Sequence, residues 1–181
     1  MSTLPHIESL SLNEATWLEA CDAASQRDVT NQTLLEVQRY LASQRRWDGV
    51  YMLSVMAGLE TSVLIDANDE IFLDWGTQGQ VRLQPPVGAK IPFKVWVHTH
   101  PRFAAYWSHT DTTSLSLGLR ILESAIVLGL PGPKSSENTT MVETSNSQTL
   151  SHVGPLAHWT LEDPVPWHVW YEQQGIEVKD E

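Results

Sequence analysis

Phe93-Lys94-Val95-Trp96-Val97-His98-Thr99-His100-Pro101, followed by Ser108-His109-Thr110-Asp111, is the stretch that decides how this chain is read. Written as a pattern it is H-x-H-P-x6-S-x-x-D, and it places two imidazoles, a hydroxyl and a carboxylate within fourteen residues. The run Phe93 to Val97 is apolar and β-branched, which predicts a strand. Residues i and i+2 of a strand point to the same side, so His98 and His100 project in parallel from its end. Pro101 biases His100 toward extended backbone and breaks the ladder just beyond it. Ser108 and Asp111 stand three apart ahead of Leu115, Leu119 and Leu122, an apolar stripe of helical spacing, and at a helix start such a pair shares one face. Two nitrogens from a strand end and one carboxylate from a helix start make a three-ligand tetrahedral site with a fourth position for water. Neutral imidazole with a single carboxylate favours zinc over magnesium or calcium, so one Zn²⁺ per chain is expected on His98, His100 and Asp111.

Outward from this stretch the elements alternate. Ser11 with Glu14 reads as a capping box for a helix over 12–25, with Trp17, Leu18 and Cys21 at helical spacing. Thr30 or Asn31 caps a second helix that runs to about Arg46 with Leu34, Val37 and Leu41 on its apolar face. Trp47-Asp48-Gly49 closes it, and Val50 to Met56, a continuous apolar run, reads as a buried strand. Strands at Val63-Leu64-Ile65 and Ile71-Phe72-Leu73 flank a turn at Asn68-Asp69. The glycine- and proline-rich stretch from Gly76 to Pro92 reads as loop with a short strand at 81–83. Beyond the helix at about 109–123, Ala125 to Leu130 reads as a strand stopped by Pro131-Gly132-Pro133. A long polar loop over 134–155, with one short strand at Met141-Val142, leads to a final strand over Leu156 to Leu161. Trp167 and Trp170 are spaced for one face of a short helix. This order predicts a mixed α/β layered domain. It divides into an N-terminal helical extension (1–29), the main domain (30–165) and a C-terminal tail (166–181).

With 181 residues the chain has room for a real core. It has no 18-residue apolar run for a membrane span, and its N-terminus lacks the basic start and apolar stretch of a secretory signal. The single Cys21 has no internal disulfide partner, which fits a reducing, cytoplasmic setting. A net charge of −11 argues against a nucleic-acid backbone as partner. It suits a basic partner or simply solubility. Neither the zinc-deaminase pattern nor H-E-x-x-H is present.

The segment from His98 to Asp111 resembles the signature of the JAMM (MPN+) metalloproteases, which include deubiquitinating isopeptidases and prokaryotic relatives acting on ubiquitin-like proteins. The resemblance spans about 30–165 and implies a cytidine-deaminase-like (MPN) fold, a mixed sheet flanked by helices. It implies that His98, His100 and Asp111 bind zinc and that Ser108 helps hold the oxyanion. It also implies a ubiquitin or ubiquitin-like substrate, with segments 76–92 and 134–155 where the family carries substrate-gripping insertions. The family's general base is a glutamate where its first helix hands over to its first strand, in a pattern E-x-x-G-x-L-x-G. That pattern lines up with Asp48-Gly49-Val50-Tyr51-Met52-Leu53-Ser54-Val55, which makes Asp48 the nearest equivalent, with Tyr51 and Val55 in place of glycines. Glu60, in the turn that follows, is the other candidate.

A zinc hydrolase of amide or isopeptide bonds is therefore the leading expectation. A metal-bound scaffold with a partner subunit, and a hydrolase of small peptides or amino-acid conjugates, are its rivals. Phe103, Tyr106 and Trp107 are candidates for an apolar wall around the metal or for core packing. His109 reads as exposed, and Cys21 as a small buried apolar residue.

Overall fold

The computed structural model describes residues 7–76, 83, 85–144 and 148–177. A 3₁₀ turn at Ile7–Leu10 leads into α1 (Glu14–Ser25), α2 (Gln32–Ser43) and α3 (Trp47–Ala57). Then come β1 (Thr61–Ile65), β2 (Ile71–Trp75), β3 (Val95–Ala104), α4 (His109–Leu117), β4 (Ser124–Leu130), β5 (Lys134–Glu137) and α5 (Trp167–Gln174). The five strands form one mixed sheet in the order β2-β1-β3-β4-β5. β1 runs antiparallel to β2 and β3, β4 runs parallel to β3, and β5 returns antiparallel. The fold is thus α/β, a mixed sheet flanked by helices.

Period-two alternation divides the sheet between two cores. Val63, Ile65, Val95, Val97 and Leu128 pack with α1, α2, α3 and α5, and Trp17, Trp167, Trp170 and Tyr171 belong to the same cluster. Leu64 and Trp96 face the other way, with Leu115, Leu122 and Trp159. The parallel pair β3 and β4 is joined through α4, as a parallel connection requires.

Several expectations hold. Asn31 caps α2 by accepting from Leu34 N at 3.0 Å, and Leu34, Val37 and Leu41 are buried. The hairpin at Asn68-Asp69 and the strand from Ala125 are in place. Other expectations are corrected. The cap of α1 is Asn13, whose side chain accepts from Ala15 N at 2.9 Å, whereas Ser11 sits in a left-handed turn at φ 54°. Val50 to Met56 is helix, not strand. An apolar run of that length carries no period to separate the two forms. Here α3 is covered by α1, α2 and the sheet, so nearly every side is buried. Gly49 permits the approach of α2, since a Cβ there would lie 2.8 Å from Leu41 Cδ1. Gly58 then ends α3 with a left-handed cap at φ 63°.

Downstream, α4 stops at Gly118, short of 123, leaving Leu119 outside it. The strand in the polar segment is β5, while Met141-Val142 lies in a turn. Leu156 to Leu161 holds a 3₁₀ turn at Pro155–His158 and two isolated bridges, Asn138 with Trp159 and Thr149 with Thr160. Residues 81 and 82 of the short strand expected at 81–83 lie outside the described residues.

β3 continues past Pro101 to Ala104, but its ladder is interrupted there. Between Thr99 and Ala104 it advances five residues while β4 advances two, from Leu128 to Leu130. Arg102 takes φ 64° in this bulge, and the returning chain presses on Gly129. A Cβ on Gly129 would stand 2.8 Å from both Ala105 N and Phe103 O, which are backbone atoms with little room to yield. Gly129→Ala is expected to cost about 1–3 kcal/mol in urea unfolding, an overpacking penalty, and to weaken metal retention through the displaced bulge.

Candidate metal centre

The register of the sheet brings the site together. Ser62 pairs with His98 across β1 and β3. Extending that antiparallel register by two residues sets Glu60 opposite His100, on the same face. Beneath them, Thr99 points to the opposite face and ties three elements. Its Oγ1 lies 2.6 Å from Ser54 Oγ on α3 and accepts from Thr61 N at 2.9 Å.

His98 Nε2 is 3.0 Å from Asp111 Oδ1, and His100 Nε2 is 3.3 Å from Asp111 Oδ2. One ligand atom from each of the three residues can be chosen so that all lie within 4.8 Å of one another, and all three side chains are buried. Asp111 is aimed by a capping box. Ser108 N donates to Asp111 Oδ2 at 2.9 Å, and Asp111 N donates to Ser108 Oγ at 3.2 Å. The helix cap and the carboxylate ligand are one device. His100 is oriented by its other nitrogen, with Nδ1 3.0 Å from the Ala104 carbonyl. Donation from Nδ1 to that carbonyl leaves the Nε2 lone pair facing the cluster, the arrangement that orients metal-bound histidines. The bulge that carries Ala104 therefore has a role in the site.

Despite the short separation, His98 is not aligned to hydrogen-bond Asp111, and neither of its ring nitrogens has a hydrogen-bond partner among the described residues. A buried nitrogen left this way is costly, and a bound cation is one of the few things that would satisfy it. The donors fit that role, since two imidazole nitrogens and one carboxylate oxygen converge in a buried space. This cluster can hold a metal ion.

The charge balance agrees. Burial pushes the His98 imidazolium down toward the neutral form, which Asp111 only partly opposes. Burial also disfavours charge on His100. The Asp111 carboxylate, the Ala104 carbonyl and Glu60 outweigh it and lift His100 above the ordinary imidazole range. For Asp111, burial is more than offset by His100 and His98, which hold its carboxyl well below the usual carboxylate range.

The acid beside the cluster is Glu60, whose Oε1 stands 4.0 Å from His100 Nε2. The structure does not bring Asp48 there. Asp48 lies in the first turn of α3, where Arg46 grips it with two hydrogen bonds, Nε to Oδ1 at 3.0 Å and Nη2 to Oδ2 at 2.8 Å. Arg46 also reaches Ser9. Tyr171 donates to Asp48, and burial together with that carboxylate holds the phenol strongly protonated. Asp48 is thus a structural acid joining the N-terminal segment, α3 and α5. The reading of 50–56 as a strand had moved the helix-to-strand handover twelve residues too early, from Glu60 to Asp48. The missed signal was Gly58, a helix-ending glycine two residues before an acid and a β-branched run.

Around the cluster, Trp96 stacks on His98 with ring centroids 4.5 Å apart. Tyr106 meets His100 edge-on at 5.1 Å, and Trp107 tilts toward His98 at 5.9 Å. Tyr106 and Trp107 therefore flank the imidazoles, whereas Phe103 is 61% exposed. His109 is exposed at the start of α4. Cys21 is buried, and burial pushes its thiol up to about 11, away from nucleophile chemistry.

No family model matches the chain, and neither a curated protein nor a solved structure does.

Two outcomes follow from this geometry. His98 is already neutral in the folded protein while His100 holds its proton above the usual range, so metal uptake near pH 6.5 displaces about one imidazole proton rather than two. The logarithm of the affinity for an added divalent ion, titrated against a competing chelator, is expected to rise with a slope of about one per pH unit there and to flatten above the raised His100 range. Asp48→Asn strips a buried guanidinium of its counter-charge and is expected to lower stability by about 3–5 kcal/mol in denaturant melts while leaving the uptake of an added divalent ion unchanged.

Proposed function

We propose that this chain is a zinc-dependent hydrolase of amide or isopeptide bonds, with an MPN-type fold, that removes or processes ubiquitin or a ubiquitin-like protein. One observation carries the reading: His98, His100 and Asp111 converge in a buried cluster, and a carboxylate, Glu60, stands beside it. The donor set suits zinc, which supplies a Lewis acid and a water acidic enough to lose a proton near neutral pH. Helix α3 hands over to β1 at Glu60, which is where the JAMM family places its general base. The resemblance therefore falls on Glu60 more naturally than on Asp48. The lone, buried Cys21 suits a cytoplasmic setting.

In this reading Glu60 takes a proton from the attacking water and returns it to the leaving amine. Ser108 Oγ accepts from Asp111 N, and its hydroxyl hydrogen has no acceptor among the described residues. That leaves the hydroxyl able to donate to an oxyanion as charge develops there. Trp107 and Tyr106 shield the imidazoles from water, which strengthens every electrostatic contact in the site.

The test combines metal content with turnover on fusions and isopeptide conjugates of ubiquitin-like proteins. The purified protein is expected to carry about one zinc and to cleave such a bond, and His98→Ala to lose both properties. Glu60→Gln is expected to keep zinc and lose about 10²- to 10⁴-fold in kcat, the usual contribution of a positioned base. Asp48→Asn should retain turnover at temperatures where it stays folded. Zinc binding without cleavage of any such substrate would instead identify a scaffold subunit.

A further inference from the structure

One groove of about 470 Å³ lies where the C-terminal end of α3 meets the β3 bulge, and its lining has an unusual charge. Arg27 and Arg102 both line it, together with Val55, Met56 and Phe103, and no acidic side chain does. This is a doubly cationic hollow on a chain of net charge −11. Among the described residues neither guanidinium has a carboxylate within ion-pairing distance. Arg27 Nε donates to the Ala57 carbonyl at 2.9 Å, which ties its stem to the end of α3 and leaves its remaining N–H groups for another acceptor. Arg102 is exposed and holds a left-handed backbone at φ 64°, its N–H donating to Tyr51 Oη at 3.2 Å. A bulky residue in that conformation is uncommon, and its position is set by the bulge. The groove floor carries Met56 and Phe103, which are 37% and 61% exposed.

The groove adjoins the metal cluster along two chain segments. Pro101 and Arg102 directly follow His100, and Gly58 precedes Glu60 by two residues. Chain geometry puts the Arg102 Cα within about 7 Å of the His100 Cα. Consecutive residues of β3 thus belong to the cluster and to the groove.

We propose that this groove binds an acidic peptide segment, the one that carries the leaving amine, by placing its carboxylates on Arg27 and Arg102 and its aliphatic stems on Met56 and Phe103. The occupant is argued from charge complementarity. Two guanidiniums without a carboxylate partner, beside the apolar Met56 and Phe103, suit a carboxylate-bearing strand. The proposal rests on the hydrolase reading for its link to a leaving amine, while the binding it describes is measurable without turnover.

Two measurements on the zinc-loaded full chain separate the two ideas. Fluorescence anisotropy with fluorescein-Glu-Glu-Lys-Glu-Glu, against the same peptide with glutamine in place of glutamate, is expected to show about five- to tenfold tighter binding of the acidic probe. This is the size of two partly exposed charge-assisted contacts. The preference is expected to shrink as salt rises and to fall to about two- to threefold in Arg102→Gln, which removes one of the two contacts at an exposed position. Arg27→Lys, which retains the charge but not the guanidinium fork, should keep part of it. Equal binding of the two probes, no binding of either, or a preference unchanged by Arg102→Gln would overturn the groove. Separately, conjugates of a ubiquitin-like tail to that lysine should be cleaved with a lower KM in the acidic context and an unchanged kcat. Binding without cleavage would leave the groove standing and count against the hydrolase.

Discussion

A carboxylate buried between two imidazoles is the constraint around which this protein is arranged. Asp111 is nearly inaccessible, with no lysine or arginine paired to it among the described residues. Its charge is held by His98 and His100 on one side and by the N–H of Ser108 on the other. Taking such a carboxylate out of water is expensive unless its oxygens are answered. The imidazoles answer them only in part, because His98 remains unaligned and burial opposes its protonation. The arrangement is therefore most economical with a cation in place. A capping box that stabilises α4 also rotates the carboxylate toward the strand, so the helix start cannot be altered without altering the ligand.

The sheet does the complementary work. Two residues of β3 point toward Asp111, and the one between them, Thr99, points into the opposite layer and bonds to α3 and β1. That single hydroxyl locks the strand's phase, because a slip of one residue would exchange Thr99 with the histidines. The interruption after Thr99 then lets Ala104 fold back onto His100 Nδ1. A regular strand would carry Ala104 about 13 Å beyond His100. The bulge is thus what allows a strand to supply a ligand and, four residues later, the carbonyl that orients it.

Much of this was legible in the residues alone. The spacing of His98, His100, Ser108 and Asp111 encodes parallel projection and a helix start, and both depend on local geometry that sequence expresses directly. The elements that were misread share a different property. For α3, burial on nearly every side removed the periodicity that distinguishes helix from strand, and only the left-handed Gly58 marked its end. For Leu156 to Leu161, apolar residues that pack in a loop resemble a short strand until pairing partners are known. The ranking of the two candidate acids followed from the same weakness. Asp48 opens α3 and Glu60 follows it, and choosing between them required knowing which end of an apolar run meets the sheet.

The two acids show how environment, rather than residue type, assigns a role. Asp48 meets a bidentate guanidinium and a tyrosine hydroxyl, so its oxygens are taken up by structural contacts. Glu60 stands beside His100, at the edge of the cluster that could hold a metal ion. The shorter acid therefore joins three structural segments, while the longer one stands beside the candidate metal cluster, and the length of α3 is what keeps their positions apart.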